Sequence, residues 1–363
     1  MDKNLIYDWL SLIPGATNDL KLELIRVFGG AEALVSSSAA DIKTYFVENP
    51  DQKSPSAEFF EAWRKHDFSA AEKDLAKTAA YGASFLCYES DDYPEKLRLI
   101  ADPPLVLHCK GNIELLYSPA TAVVGTRRCS PYGRWAAHEI ARRVAMCGIT
   151  IVSGMAEGID SSGHLAALEC GGNTVAVLGT GIDVCFPRSN AKLFAGIKEK
   201  GLVVSEYSMG EGGAPWHFPQ RNRIISGLSE KCIMVEGALR SGSLITAGYA
   251  AEQGKDLFAV PGNINQPNSI GANSLIMDGA CPILSVEKVC ETLGYSFRNL
   301  KNRHIKLSPI EQRIYEKIEQ SGTVSFDELV LFSDLSAYEC MRIISALELK
   351  DLIVCEGNRC RIS

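Results

Sequence analysis

The stretch TAVVGTRRCSPYGRWAAHEIARRVAMCGITIVSG, residues 121–154, decides the fold. It opens on an apolar, β-branched run that stops at Gly125, passes through a polar turn into the helical segment from Trp135 to Gly148, and closes on a second apolar run ending in Ser153 and Gly154. Strand, helix and strand follow one another, and neither strand alternates polar with apolar residues. Strands that are apolar on both faces and separated by helices belong to a parallel sheet covered on both sides. Four more such runs follow: TVAVLG (174–179), GLVVSEY (201–207), KCIMVEG (231–237) and DLFAVPG (256–262). The reading is an α/β core built on a parallel sheet, in which ligands sit beyond the carboxyl ends of the strands.

Outward from this core, residues up to about Phe68 have helical spacing of apolar residues, broken at Pro14-Gly15 and Gly29-Gly30. They resemble a helix-hairpin-helix or SAM-like module, although Thr17 stands where such a hairpin has its second glycine. After the polar run RNLKNRH (298–304), the chain reads as three helices and a hairpin about Gly357-Asn358, with Ser308 and Ser336 as N-caps, the order of a winged helix-turn-helix. The expected domains are therefore 1–70, 71–298 and 299–363. From Lys306 to Ser363 the tail carries seven Lys or Arg against ten Asp or Glu, and its third helix offers only Arg342 and Lys350 as cations, which points to protein contact rather than groove reading.

The 363 residues, 46% hydrophobic and 22% charged, are those of a globular protein. A net charge of −7 excludes a general polyanion-binding surface, so any nucleic-acid site is a local basic patch. The twelve cysteines form no CxxC pair and read as reduced thiols in apolar positions. No run is long enough to span a membrane, and the expectation is a cytoplasmic protein with no metal and no cofactor.

Four strand ends carry polar clusters. After the first strand, Gly125 and Thr126 would offer backbone amides at a helix N-terminus, with Arg127 and Arg128 adding charge. GxGxxG is absent, and so is the lysine of a P-loop. The second cluster has Ser153 and Gly154 at the turn, with Asp160 and His164 four apart, a spacing that suits a metal or acid/base pair or, without a third ligand, a capping or inter-helix hydrogen bond. The third supplies Arg188 and Asn190. The fourth joins Phe218, Arg221, Asn222 and Arg223 of WHFPQRNRIISGLS (216–229) to Arg240, Ser241, Gly242 and Ser243, which precede a helix. Amide nests, forked arginines and an aromatic face suit a run of phosphates with unstacked bases, and base stacking on Phe218 would contribute about 1–3 kcal/mol.

The ordered segments VVGTRRCSPYG, IVSGMAEGIDSSGH, TVAVLGTGIDVCFPRSN, VVSEY, FPQRNRIISGLS, LRSGSLITAGYAAEQGKDLFAVPG and GANSLIMDGA, with YPEKLRLIADPPLVLHCKG before them, resemble the DNA processing protein A (DprA, or Smf) family over residues 88–285. The resemblance implies an extended Rossmann-like domain that dimerises, binds single-stranded DNA without sequence preference, protects incoming DNA and loads RecA during natural transformation. It places the family's pocket arginine at Arg127 and its aromatic at Phe218, and it matches Arg221, Asn222 and Arg223 directly. Gly163 stands where family members commonly have alanine. The helices GSLITAGYAAEQG and NSLIMDGA are the candidate dimer surface, with burial in the core as the alternative. The competing function is a phosphoribohydrolase-like enzyme: Glu236 is present, but the PGGxGT loop of such enzymes is not.

Overall fold

The computed structural model describes residues 2–295, 307–333, 335–349 and 352–362. Two compact units divide the chain, Met1–Ser296 and Phe297–Ser363. The first holds a nine-stranded sheet: β1 (Ser84–Cys87), β2 (Val106–Gly111), β3 (Ala120–Val124), β4 (Thr150–Ser153), β5 (Thr174–Val177), β6 (Leu202–Ser205), β7 (Lys231–Met234), β8 (Asp256–Ala259) and β9 (Cys281–Pro282). Their order across the sheet is β1-β2-β6-β5-β4-β3-β7-β8-β9.

From β6 to β9 every neighbouring pair is parallel, and β3, β4, β5 and β6 are buried along their whole length. The chain winds outward from β3 through β4, β5 and β6, then returns to add β7, β8 and β9 on the other side. Strand order reverses between β3 and β7, which opens a crevice beyond their carboxyl ends. Helices Pro131–Met146 and Ile159–Glu169 pack together beside β3 and β4 through small residues such as Ala137, Ala141, Ala166 and Ala167. An alanine methyl at Gly163 would meet Val123 Cγ1 at 3.5 Å, an ordinary contact, so the glycine there leaves packing intact.

The remaining edge departs from the all-parallel expectation. β1 pairs antiparallel with β2, and β2 antiparallel with β6. Neither segment reads as a buried run: β1 is exposed at its start, and β2 carries His108 and Lys110. Against this edge lie six helices, Lys3–Leu12, Asn18–Val27, Ala31–Ser36, Ala39–Glu48, Ala57–Lys65 and Ser69–Ala80. Their core, which includes Ile6, Leu10, Leu34, Phe59 and Trp63, is continuous with Cys87, Leu105 and Val106 of the sheet edge. Asp2, Thr17 and Ser38 cap three of these helices with side-chain oxygens.

The second unit runs helix Pro309–Ser321, β10 (Thr323–Ser325), helices Phe326–Ser333 and Ala337–Leu349, then the hairpin β11 (Ile353–Glu356) and β12 (Arg359–Ile362). Ser308 forms a capping box with Glu311, and Ser336 Oγ accepts from the Glu339 amide. β10, which the sequence reading missed, pairs with β12. Cys355 and Cys360 face each other in the hairpin and are disulfide-bonded, which corrects the expectation of reduced thiols throughout. The other ten cysteines form no disulfide among the described residues. The polar run 298–304, Lys306 and Lys350 lie outside the described residues.

Candidate functional site

At the reversal of strand order a cavity of about 720 Å³ opens, lined by Gly125, Thr126, Arg127, Arg128, Phe218, Arg221, Asn222, Ser241, Gly242 and Ser243 among others. Ten of the sixteen residues singled out from sequence thus meet in one place. Gly154 lines an adjoining recess of about 150 Å³ together with Arg127, Phe186, Phe218 and Arg221.

The exposed part of the site is small. Arg127 and Arg128 are exposed on the turn after β3. The Arg127 guanidinium lies 5.4 Å from the Phe218 ring centre, a cation–π distance. Phe218 is held edge-on between two glycines: a Cβ on Gly179 would come within 2.8 Å of its ring and one on Gly213 within 2.6 Å. These close approaches require glycine at both positions. Phe186 leans on Phe218 with ring centres 5.1 Å apart and planes at 34°, and it is 43% exposed. The sequence reading missed Phe186, although it lies two residues before Arg188 in the cluster CFPRSN.

The helix Gly242–Glu252 begins at the cavity wall. Ser241 caps it, its Oγ accepting from the Ser243 amide at 3.4 Å and sharing a hydrogen bond with Ser243 Oγ at 2.7 Å. This helix N-terminus faces the same space as Arg127 and Arg128, a favourable surrounding for an anion.

The helix after β3 does something else. Its N-cap Ser130 donates its amide to Glu236 Oε2 (2.8 Å) and its hydroxyl to Glu236 Oε1 (2.5 Å), and the Thr126 amide donates to the Glu236 carbonyl (2.7 Å). A Cβ on Gly133 would overlap the Glu236 carboxylate, so glycine leaves the room in which it sits. The carboxylate of Glu236 therefore occupies the helix N-terminus at Ser130, its carbonyl takes the Thr126 amide, and a second phosphate-sized anion would be repelled there.

The arginines of the RNR triplet are both buried. Arg221 is buried and donates through Nη1 to the carbonyls of Gly154 (2.9 Å) and Val177. Burial pushes its pKa down to about 10, against the pull of nearby Asp160. Burial in turn raises the Asp160 carboxyl, which Arg221 and the amides of Ala156 and Gly154 hold back. Arg223 is buried away from the cavity, forking onto both oxygens of Glu206 (2.7 and 2.6 Å) and donating to the Asp102 carbonyl (2.7 Å). Burial works against its charge, but Glu206 outweighs it and holds the pKa above the ordinary value. Asn222 ties the triplet to the next helix by donating to the Gly242 carbonyl at 3.2 Å. One alternation of helix faces turned Phe218 outward and both arginines inward, a split that the triplet's composition hides.

Four further residues sit elsewhere. Ser153 is buried and donates to the Val123 carbonyl (2.7 Å), and Asn190 donates to the Met155 carbonyl (2.9 Å). Arg188 and Arg240 are exposed but do not line the cavity. Asp160 and His164 are no acid/base pair: His164 Nδ1 meets Thr174 Oγ1 at 2.6 Å, and burial, assisted by Arg221, pushes its pKa down to about 3.

The architecture and sequence have relatives. DNA processing protein DprA of Streptococcus pneumoniae (strain ATCC BAA-255 / R6) is 42% identical over 233 residues, 64% of this chain and 80% of the relative. Protein Smf of Escherichia coli (strain K12) is 40% identical over 243 residues, 67% of this chain and 63% of the relative. The X-ray structure of DNA processing protein A from S. pneumoniae superposes with a TM-score of 0.68 at 36% identity, covering 80% of this chain and 98% of that one. The Helicobacter pylori protein of the same name, solved for its single-stranded DNA binding mode, gives a TM-score of 0.54 at 32% identity, covering 59% of this chain and 98% of that one. The family model described as DNA recombination-mediator protein A matches residues 84–294, the span from β1 to the helix after β9 that builds the crevice, and the chain belongs to that family.

Proposed function

We propose that the crevice between β3 and β7 binds single-stranded DNA without sequence preference. The observation that carries this reading is the pairing, on one cavity, of two exposed arginines with a two-ring ledge of Phe186 and Phe218. Phosphates need cations and amide donors, which Arg127, Arg128 and the start of the helix Gly242–Glu252 offer. Unstacked bases need a flat apolar face, and every base has one to give in return, so no base is preferred. The single-stranded DNA binding of the H. pylori neighbour supports the same reading.

In this proposal the protein is a cytoplasmic carrier rather than an enzyme. Glu236, the residue an N-glycosidic hydrolase would need as a base, is spent on Ser130. The carrier protects incoming DNA and hands it to RecA, acting as a homodimer that joins two crevices on one strand. Two sites on one strand gain from effective concentration once the strand can span them. Ile245, Ile270 and Met277 of the two late helices are exposed and offer the apolar face for such a dimer. The segment after residue 298 is a winged helix, which this reading leaves outside the DNA site, and residues 1–70 form the accessory helical domain.

The test is binding of fluorescent oligo-dT across a salt titration. Phe218→Ala is expected to weaken binding by about 1–3 kcal/mol with the salt slope unchanged, because stacking releases no counterions. A Phe218→Ala protein that binds like wild type removes the ledge from the site.

A further inference from the structure

Away from the crevice, three residues distant in sequence converge where the N-terminal helices meet the antiparallel edge of the sheet. Asp8 lies on the helix Lys3–Leu12, Asp74 on the helix Ser69–Ala80 and His108 on β2. All three are buried, with Asp8 and His108 fully enclosed. One ligand atom from each lies within 4.8 Å of the others, and His108 Nε2 is 3.3 Å from Asp74 Oδ2. Both carboxylate oxygens of Asp8, Oδ2 of Asp74 and Nε2 of His108 have no hydrogen-bond partner.

The surrounding hydrogen bonds fix which atoms face inward. Thr78 Oγ1 donates its single proton to the Asp74 carbonyl (2.9 Å), so it can only accept from His108 Nδ1 (3.1 Å). A neutral His108 then carries its proton on Nδ1 and aims the Nε2 lone pair at the two carboxylates. The far oxygen of Asp74 is held by the Met209 amide at 2.6 Å. Lone pairs and anionic oxygens converging in a dry space repel one another unless a cation joins them, since buried carboxylates without partners are costly.

We propose that Asp8, Asp74 and His108 bind one divalent transition-metal ion, of which Zn²⁺ is the reference case. Imidazole nitrogen and carboxylate oxygen are ordinary zinc ligands at about 2.0–2.2 Å, which sets them roughly 3.4 Å apart in a tetrahedral shell. The His108–Asp74 separation of 3.3 Å is close to that value, and Asp8 offers the third ligand atom within 4.8 Å of the other two. Three protein ligands leave one position for water. The ion fastens the first and sixth helices to β2, and through Asp74 and Met209 it also steadies the loop after β6. The sequence reading, which looked for clustered ligand spacing, expected no metal. These ligands are 66 and 34 residues apart.

The experiment uses the full chain, stripped with a chelator, desalted and titrated with Zn²⁺ alone. Retention of one equivalent after desalting, with a melting temperature raised by a few degrees, is expected for wild type. Asp8→Asn keeps the shape and can donate a hydrogen bond to Asp74, so it is expected to fold while binding Zn²⁺ at least tenfold more weakly and losing the thermal shift. Equal binding and equal shift in Asp8→Asn overturn the proposal and leave a proton shared among the three groups. Because ten cysteines lie outside the disulfide, X-ray absorption of the wild-type Zn²⁺ complex supplies a readout that needs no variant. A shell of oxygen and nitrogen is expected, and a sulfur shell overturns the assignment.

Discussion

Two helices start at the carboxyl edge of the sheet after neighbouring strands β3 and β7, and their N-termini are put to opposite uses. The helix Pro131–Met146 is closed by Glu236, which takes the Ser130 amide and hydroxyl, with Gly133 leaving room for the carboxylate. The helix Gly242–Glu252 is capped only by its own Ser241, and it borders the cavity that holds Arg127 and Arg128. The same strand, turn and helix unit is thus a scaffold joint in one copy and, in the proposed function, an open anion site in the other. The RNR triplet repeats the lesson over a short stretch of helix: Arg223 is turned away onto Glu206, whereas Arg221, although it donates to the Gly154 carbonyl, lines the cavity beside Phe218.

The largest expected effect lies on the closed side. Arg223→Ala leaves Glu206 buried without its partner, a loss of about 3–5 kcal/mol of stability when one member of a buried ion pair is removed. Chemical denaturation measures it. A variant that keeps wild-type stability but loses DNA affinity would return Arg223 to the ligand side and dissolve the comparison.

Glu236→Ala is expected to cost about 1.5–3 kcal/mol, the scale of hydrogen bonds to a charged group, because the Ser130 donors lose their acceptor. Oligo-dT affinity should hold or rise, since a carboxylate leaves the neighbourhood of the phosphates. Loss of affinity in a folded Glu236→Ala protein would mean that the closed N-terminus is part of the site.

A third expectation follows from His164, buried behind the open crevice. Its pKa stands near 3 in the fold against the ordinary 6.5, so the native state binds fewer protons than the unfolded one. Its contribution to stability is complete above pH 6.5 and declines as pH falls from 6.5 toward 3. The loss is about 2 kcal/mol by pH 5. His164→Gln should flatten the acid limb of the stability profile, and an unchanged limb would place the proton uptake on other groups.

Much of this was legible in the sequence, and the reasons are particular. Six apolar runs between 121 and 262 became β3 to β8, because strands buried on both faces announce themselves by composition alone. β1 and β2 did not: an edge strand that carries His108 and Lys110 has no such signature. The location of the cavity followed from the glycine-rich strand ends, but the placement of the residues around it did not. Whether a donor at a strand end or on the RNR helix is free for a phosphate or taken by a carboxylate depends on partners such as Glu206 and Glu236, which lie 17 and 106 residues from the groups they bind.

The smallest effect is the one that separates the open side most finely. Arg127 is exposed, lines the cavity and stacks over Phe218, a contact worth about 0.5–1 kcal/mol at an exposed site. Arg240 is equally exposed but lies outside the cavity lining. If the crevice holds the phosphates, Arg127→Ala should flatten the salt dependence of oligo-dT binding by about 0.7 log units, one phosphate contact on a single strand, and Arg240→Ala should leave the slope near wild type. Both substitutions remove one positive charge from a −7 chain, so a difference between them cannot come from net charge. Equal slopes for the two variants would show that the strand runs over the loop beyond the cavity, and that the open helix N-terminus does not by itself select where DNA binds.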